Sequence, residues 1–105
     1  MTARSLLSGA ALALALPVAW AQAVAPASAL QLRSWAAACS NCHGTGGVPQ
    51  PGMEPLAGVA KEELARKLLD FKAGRRPATI MHQLAKGYSD EQLEQLASYF
   101  AALKK

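Results

Sequence analysis

The sequence predicts an all-α protein, because apolar residues recur at helical spacing and no alternating strand pattern is visible. The clearest apolar stripe lies near the C-terminus and consists of Leu93, Leu96, Ala97 and Phe100. A second stripe falls within residues 61–73. The Gly- and Pro-rich stretch that precedes this second stripe shows no periodic pattern of apolar residues. We therefore expect three to five short helices joined by loops, with no internal repeat.

The first predicted helix carries Leu32, Trp35 and Ala36 at helical spacing and continues into the segment that begins at Cys39. Residues 44–55 are rich in Gly and Pro, so we expect them to form a loop. The first helix should therefore end where this loop begins.

The second predicted helix covers residues 61–73, with one apolar and one charged face. Its apolar face consists of Leu64, Leu68 and Phe71. On the charged face, Glu62 is spaced to pair with Arg66 at i,i+4. Glu63 has the same spacing from Lys67. The two pairs should stabilise the exposed side of this helix.

Two further helical segments complete the predicted fold. Residues 79–86 are long enough for one or two turns. The last helix should begin after Ser89, because Ser89 and Gln92 have the spacing of a capping box, in which each side chain bonds the other residue's backbone N–H. This last helix carries the C-terminal apolar stripe.

The most informative segment is the C-x-x-C-H motif at residues 39–43, which is the attachment sequence of a c-type haem. Cys39 and Cys42 lie one helical turn apart, so both sulfurs can add to the two vinyl groups of one porphyrin. His43 then directs its imidazole to the iron as an axial ligand. The sequence therefore predicts one covalently attached haem c.

Other interpretations of the two cysteines are weaker. A thioredoxin-like pair usually follows a strand in a βαβ pattern, and no such pattern is visible. A zinc site would need more ligands, and beyond His82 the chain offers only scattered carboxylates and no second cysteine pair. A disulfide between residues three apart is geometrically awkward and leaves His43 unexplained.

The N-terminus predicts a secretory signal peptide over residues 1–23. A basic start at Arg4 precedes an apolar run, and small residues around residue 23 suit cleavage there, or at the latest after residue 29. An uncleaved anchor is less favoured, because the run is short for a membrane span and Pro17 interrupts it. We expect a periplasmic protein with no membrane span after cleavage, in an oxidising compartment.

Residues 30–105 are then expected to form a single small domain. A chain of this size has little core of its own and usually needs a staple, which a buried haem supplies. Without residues 1–23 the chain keeps ten basic and seven acidic residues, a net charge of +3. Two haem propionates reduce this to about +1, which argues against nucleic-acid binding.

The second axial ligand must come from the few residues that can bind iron. Met53 lies ten residues after His43, too close to reach around the porphyrin. Met81 lies 38 residues after His43, beyond a predicted helix, which leaves enough chain to reach the opposite face. Met81 is therefore favoured, and His82 is the alternative, because paired histidine ligands are common among c-type haems.

The whole pattern resembles the class I cytochrome c family. It combines the motif at 39–43, the run Pro55-Leu56-Ala57-Gly58, and a methionine shortly before a terminal helix that contains Leu96-x-x-Tyr99-Phe100. The resemblance implies that the first and last helices cross. It also implies that the carbonyl of Pro55 accepts a hydrogen bond from the second ring nitrogen of His43, which would fix the ring plane.

Residues 74–81 and 85–91 are similar to the haem domains of the cytochrome subunit of flavocytochrome c sulfide dehydrogenase. The resemblance implies that Met81 is the distal ligand and that a flavoprotein subunit passes single electrons to the haem. The chain itself would then be no enzyme. Unlike subunits with two fused haem domains, it carries a single C-x-x-C-H motif. The alternatives are a free electron shuttle to an oxidase, a reductase or other redox proteins, and a ligand-binding or peroxidase-like haem protein.

Overall fold

The computed structural model describes residues 25–105, and the signal peptide predicted for residues 1–23 lies outside them. The described chain contains helices and a short 3-10 turn, and no strand. In order, these are α1 (Ala29–His43), the 3-10 turn (Thr45–Gly47), α2 (Lys61–Lys72), α3 (Met81–Ala85) and α4 (Asp90–Ala101). The all-α prediction is confirmed. Within residues 25–105, no helix has the length and apolar character needed to cross a membrane.

Helix α1 begins three residues before the first apolar position that predicted it. Ser28 caps its N-terminus, because the Ser28 side chain accepts a hydrogen bond of 3.2 Å from the backbone N–H of Gln31. One residue earlier, the backbone N–H of Ala27 donates to Gln95 Oε1 of α4 at 2.9 Å. The start of α1 is thus fixed both by a local cap and by a contact with the last helix.

Helix α4 begins with the predicted capping box. The backbone N–H of Gln92 donates to Ser89 Oγ at 3.2 Å, and the backbone N–H of Ser89 donates to Gln92 Oε1 at 2.8 Å. Both bonds satisfy donors that the first turn of a helix leaves free.

The core forms where α1, α2 and α4 meet. Its buried residues are Ala36, Leu64, Leu96, Ala97 and Phe100. Trp35 of α1 and Tyr99 of α4 pack against this cluster as partly buried side chains. The expected contact between the first and last helices is therefore present, and the small side chains of Ala36 and Ala97 allow the helices to approach closely.

One of the two predicted ion pairs on α2 is wrong. Lys67 Nζ lies 2.8 Å from Glu63 Oε1, as predicted. Arg66 instead pairs with Asp70 at 3.7 Å, one turn further along the helix. Asp70 also binds Arg75 at 2.8 Å, so its carboxylate lies between two arginines. Glu62, by contrast, is exposed to solvent.

Candidate haem site

The helices enclose an apolar cavity beside the core. Its empty volume is about 930 Å³, which includes the open mouth. Apolar residues of α2, α3 and α4 supply nearly half of the lining residues: Leu64, Leu68, Leu84, Ala85, Leu93, Leu96, Ala97 and Phe100. The faces that the sequence predicted to be buried therefore surround this space.

The C-x-x-C-H motif forms the last turn of α1, and all three of its chemically reactive side chains line the cavity. Cys39 is partly buried and Cys42 is exposed, and no disulfide joins them. Burial raises the pKa of the Cys39 thiol, and a hydrogen bond with its own backbone opposes this only in part. Cys39 Sγ also donates a weak bond of 3.8 Å to the carbonyl of Trp35. Both sulfurs are thus presented to the cavity from one helical turn.

His43 is oriented by a backbone carbonyl. Its Nδ1 lies 2.8 Å from the carbonyl oxygen of Glu54. Because a carbonyl oxygen can only accept, Nδ1 must carry the ring proton, which leaves Nε2 with a free lone pair for a metal. A histidine ligand held in this way has a fixed tautomer and ring plane.

The carbonyl that orients His43 was predicted to belong to Pro55, and this prediction is wrong by one residue. The structure assigns the bond to Glu54, and Pro55 lies outside the wall of the cavity. The chain folds back after Gly47, whose carbonyl accepts hydrogen bonds from the backbone N–H groups of Leu56 at 3.0 Å and Ala57 at 3.1 Å. These bonds fix the residues after Pro55 and leave the Glu54 carbonyl directed at His43.

The fold-back depends on two glycines with positive φ. Gly44 ends α1 at φ +86°, and a Cβ there would lie 1.8 Å from the carbonyl oxygen of Val48. Gly47 has φ +77° and is packed against Phe100, with no room for a side chain. Since only glycine adopts these angles without strain, the loop reaches the cavity as a tight turn.

The side chain of Glu54 is held by two cations from distant parts of the chain. Lys67 Nζ lies 3.1 Å from Glu54 Oε2, and Arg76 NH2 lies 3.0 Å from Glu54 Oε1. The hydrogen bond from Lys67 is the main cause that lowers the pKa of the Glu54 carboxyl. Sequence reasoning missed Glu54, although it is the first acidic residue of the chain, and the loop around it is otherwise uncharged.

Helix α3 turns one face to the cavity, and that face carries Met81, Leu84 and Ala85 at positions i, i+3 and i+4. His82 follows Met81 by about 100° around the helix, and it does not line the cavity. Its Nδ1 is buried and has no hydrogen-bond partner in residues 25–105. Met53 also borders the cavity, from the loop, and is 40% exposed.

This set of side chains fits a covalently attached haem. The cavity offers two thiols for the porphyrin edge, an imidazole with a free Nε2, the thioethers of Met81 and Met53, and apolar walls for the macrocycle. Histidine and methionine are the axial ligands of haem iron in cytochromes c. The donor types present are therefore those that the C-x-x-C-H motif requires around it.

Comparison with known proteins agrees with the site. The sequence profile of the family described as cytochrome c matches residues 33–104. The cytochrome subunit of sulfide dehydrogenase from Chlorobaculum tepidum is 39% identical over 67 residues, which cover 64% of this chain and 61% of that protein. The thiosulfate dehydrogenase electron acceptor of Thiomonas intermedia is 40% identical over 82 residues, 76% of this chain and 38% of that protein.

A third relative has nearly the length of this chain. Cytochrome c-553 of Helicobacter pylori is 33% identical over 78 residues, which cover 72% of this chain and 81% of that protein. By contrast, the chain matches only 61% and 38% of the lengths of the two dehydrogenase-related proteins. The family profile spans most of the chain and includes the motif to which haem c is covalently attached. The chain therefore belongs to the cytochrome c family of haem-containing electron carriers.

Proposed function

We propose that this protein is a periplasmic cytochrome c with a single haem, which carries one electron at a time and uses His43 and Met81 as the two axial ligands. The arrangement of the cavity is the observation that supports it most. His43, with Nε2 free, and Met81 line the same apolar space as both cysteines, whereas His82 does not.

Axial histidine and methionine give a haem one-electron chemistry at a raised reduction potential. With His43 and Met81 both holding the iron, no position would be left for a substrate to bind the metal. The apolar wall formed by residues such as Leu93 and Leu96 excludes water and disfavours the more highly charged oxidised state. The bond between His43 and the Glu54 carbonyl would keep the imidazole in one orientation while it holds the iron. The protein would therefore transfer electrons and would not itself be an enzyme.

The electron donor in this proposal is the flavoprotein subunit of a sulfide dehydrogenase. Support comes from residues 74–81 and 85–91, which resemble haem domains of that class, and from the 39% identity to a cytochrome subunit of sulfide dehydrogenase. The oxidation of sulfide would take place on the flavoprotein. Export by a signal peptide at residues 1–23 would bring this chain to the periplasm.

A free electron shuttle is the second candidate. It is favoured by the relative of similar length, cytochrome c-553, of which the chain covers 81%. In this case the haem would exchange electrons with oxidases, reductases or other redox proteins through transient encounters, and no flavoprotein would remain bound.

Purification of the C-terminally tagged protein from its native periplasm at low salt would separate these candidates. Stoichiometric flavin that co-elutes, and that reduces the haem when sulfide is added, would support the sulfide dehydrogenase subunit. Haem without flavin would support the free shuttle. Addition of thiosulfate in place of sulfide is the matched control, because another relative is a thiosulfate dehydrogenase electron acceptor.

The axial ligand has its own test. Met81→Ala should abolish the weak far-red absorption band that arises from sulfur bound to ferric iron, whereas His82→Ala should leave it intact. Loss of the band in His82→Ala alone would contradict the choice of Met81. Rapid binding of carbon monoxide by the ferrous wild-type protein at neutral pH would instead support a ligand-binding or peroxidase-like role.

A further inference from the structure

We infer that the ion pair between Glu54 and Arg76 is a clamp that ties the loop carrying Met81 to the loop that orients His43, and that it slows the dissociation of Met81 from iron. The inference rests on the ligation by Met81 proposed above. Glu54 and Arg76 are thus assigned as positioning residues, since neither lines the cavity.

Glu54 joins the clamp to the His43 side of the cavity. Its carbonyl accepts the bond of 2.8 Å from His43 Nδ1, while its carboxylate accepts the bond of 3.0 Å from Arg76, which lies 22 residues later. Arg76 precedes Met81 by only five residues. One residue therefore contacts the His43 ring through its backbone and the approach to Met81 through its side chain.

Both ends of the clamp are supported by α2. Lys67 binds the second carboxylate oxygen of Glu54 and also Glu63, so the carboxylate is held from two directions. The backbone N–H of Arg76 donates to the carbonyl of Asp70 at 3.3 Å, and its guanidinium lies over the Phe71 ring, 5.2 Å from the ring centre. The contacts with Asp70 and Phe71 therefore orient the guanidinium for its bond to Glu54.

The segment between Arg76 and α3 has little support of its own. Among the described residues, the backbone groups of residues 77–79 take part in no hydrogen bond with other backbone groups. Helix α3 has only five residues, too few for a stable isolated helix. The position of Met81 thus depends on how the two ends of this segment are anchored, and Arg76 is the anchor on its N-terminal side.

The neighbouring residue provides a matched control. Arg75 also forms an ion pair from the same loop, with NH2 at 2.8 Å and Nε at 2.9 Å from Asp70 Oδ1. This pair connects the loop only to the end of α2 and does not reach Glu54. Arg75→Gln therefore removes the same kind of interaction one residue away and leaves the clamp intact.

The test measures how fast imidazole displaces Met81 from the ferric holoprotein. At saturating imidazole, the rate at which the far-red band disappears is set by the dissociation of Met81. We expect Arg76→Gln and Glu54→Gln each to raise this rate about threefold, the size typical of partly exposed ion pairs. Glu54→Gln retains the carbonyl that orients His43. The double variant should be no faster than Glu54→Gln alone, because the carboxylate that Arg76 binds is already absent in that variant.

Salt provides an independent check, since the side chains of Arg76 and Glu54 are 33% and 57% exposed. The difference between wild type and Arg76→Gln should shrink at about 1 M salt, where exposed charges are screened. Equal rates in Arg76→Gln and Arg75→Gln would overturn the clamp, as would an unchanged rate in Glu54→Gln. If Met81→Ala keeps the far-red band, the ligand assignment fails first. If Met81→Ala loses the band but the clamp variants match wild type, only the clamp fails.

Discussion

Replacing Gly47 by alanine should destabilise the holoprotein far more than the same change at Gly46. An ideal Cβ at Gly47 would lie 2.8 Å from Phe100 Cδ1 and 2.9 Å from the backbone nitrogen of Ala57. Contacts this short force the ring or the loop to move. At Gly46, one residue earlier, a Cβ would meet no atom within 4 Å.

The expected magnitudes separate strain from overpacking. Both glycines have positive φ, +77° at Gly47 and +64° at Gly46, so alanine costs about 1–2 kcal/mol of backbone strain at either position. Only Gly47→Ala adds an overpacked methyl group, which costs about 1–3 kcal/mol more. The free energy of unfolding should therefore fall by about 1–2 kcal/mol in Gly46→Ala and by about 2–5 kcal/mol in Gly47→Ala.

Guanidinium unfolding of the two haem-loaded variants, followed by haem absorbance and far-ultraviolet circular dichroism, measures this difference directly. The slope against denaturant should stay the same, because the surface exposed on unfolding does not change. Equal losses of stability in the two variants would refute the argument that packing against Phe100 and Ala57 is what requires glycine at position 47.

Four further changes test other contacts by the same unfolding assay. Leu93 is 1% exposed, so Leu93→Ala should cost about 2–5 kcal/mol, and a cost like that of a surface substitution would contradict its burial. Ser28→Ala should lower the free energy of unfolding by about 1 kcal/mol, because it removes the cap of α1. A chain beginning at residue 30 should lose as much or more, because it also lacks the contact between Ala27 and Gln95. If a chain beginning at residue 30 were as stable as one beginning at residue 24, the role of the cap would be contradicted. The pKa of Glu54 is lowered from its ordinary value of 4.5, chiefly by the hydrogen bond from Lys67. The ion pairs of Glu54 therefore stabilise the fold above about pH 4.5, and this stabilisation is lost as the pH falls through the folded-state pKa. The effect should stay below about 1 kcal/mol because the carboxylate is largely exposed, and Glu54→Gln should remove this part of the acid sensitivity; an unchanged pH profile would argue against the pairing.

Much of the fold could be predicted because its signals are local. The capping box of Ser89 and Gln92, and the apolar stripe of α4, depend on residues within two turns of one another. The start of α1 was harder to predict, because Ser28 lies before the apolar stripe and the preceding residue is held by α4. The predicted pair between Glu62 and Arg66 is absent because Arg66 pairs with a second carboxylate within its reach, that of Asp70.

In the candidate site too, some features could be predicted from the local sequence and others could not. Met81 was favoured over its neighbour His82 from the sequence, but only the direction of α3 shows which of the two borders the cavity. Ligation by Met81 stays a prediction until the spectrum of the variants is measured. The carbonyl that holds His43 could not be identified by spacing, because every residue in the loop carries a carbonyl.

The sequence by itself determined that this chain attaches a haem c and folds as helices around it. The physical reason is that two thioethers and an axial histidine come from one helical turn, so their geometry follows from their spacing. The tertiary structure alone decided that Glu54 orients His43, that Lys67 and Arg76 hold Glu54, and that Gly47 has no room for a side chain. These contacts join residues far apart in the chain, and they exist only once the loops have packed against the helices.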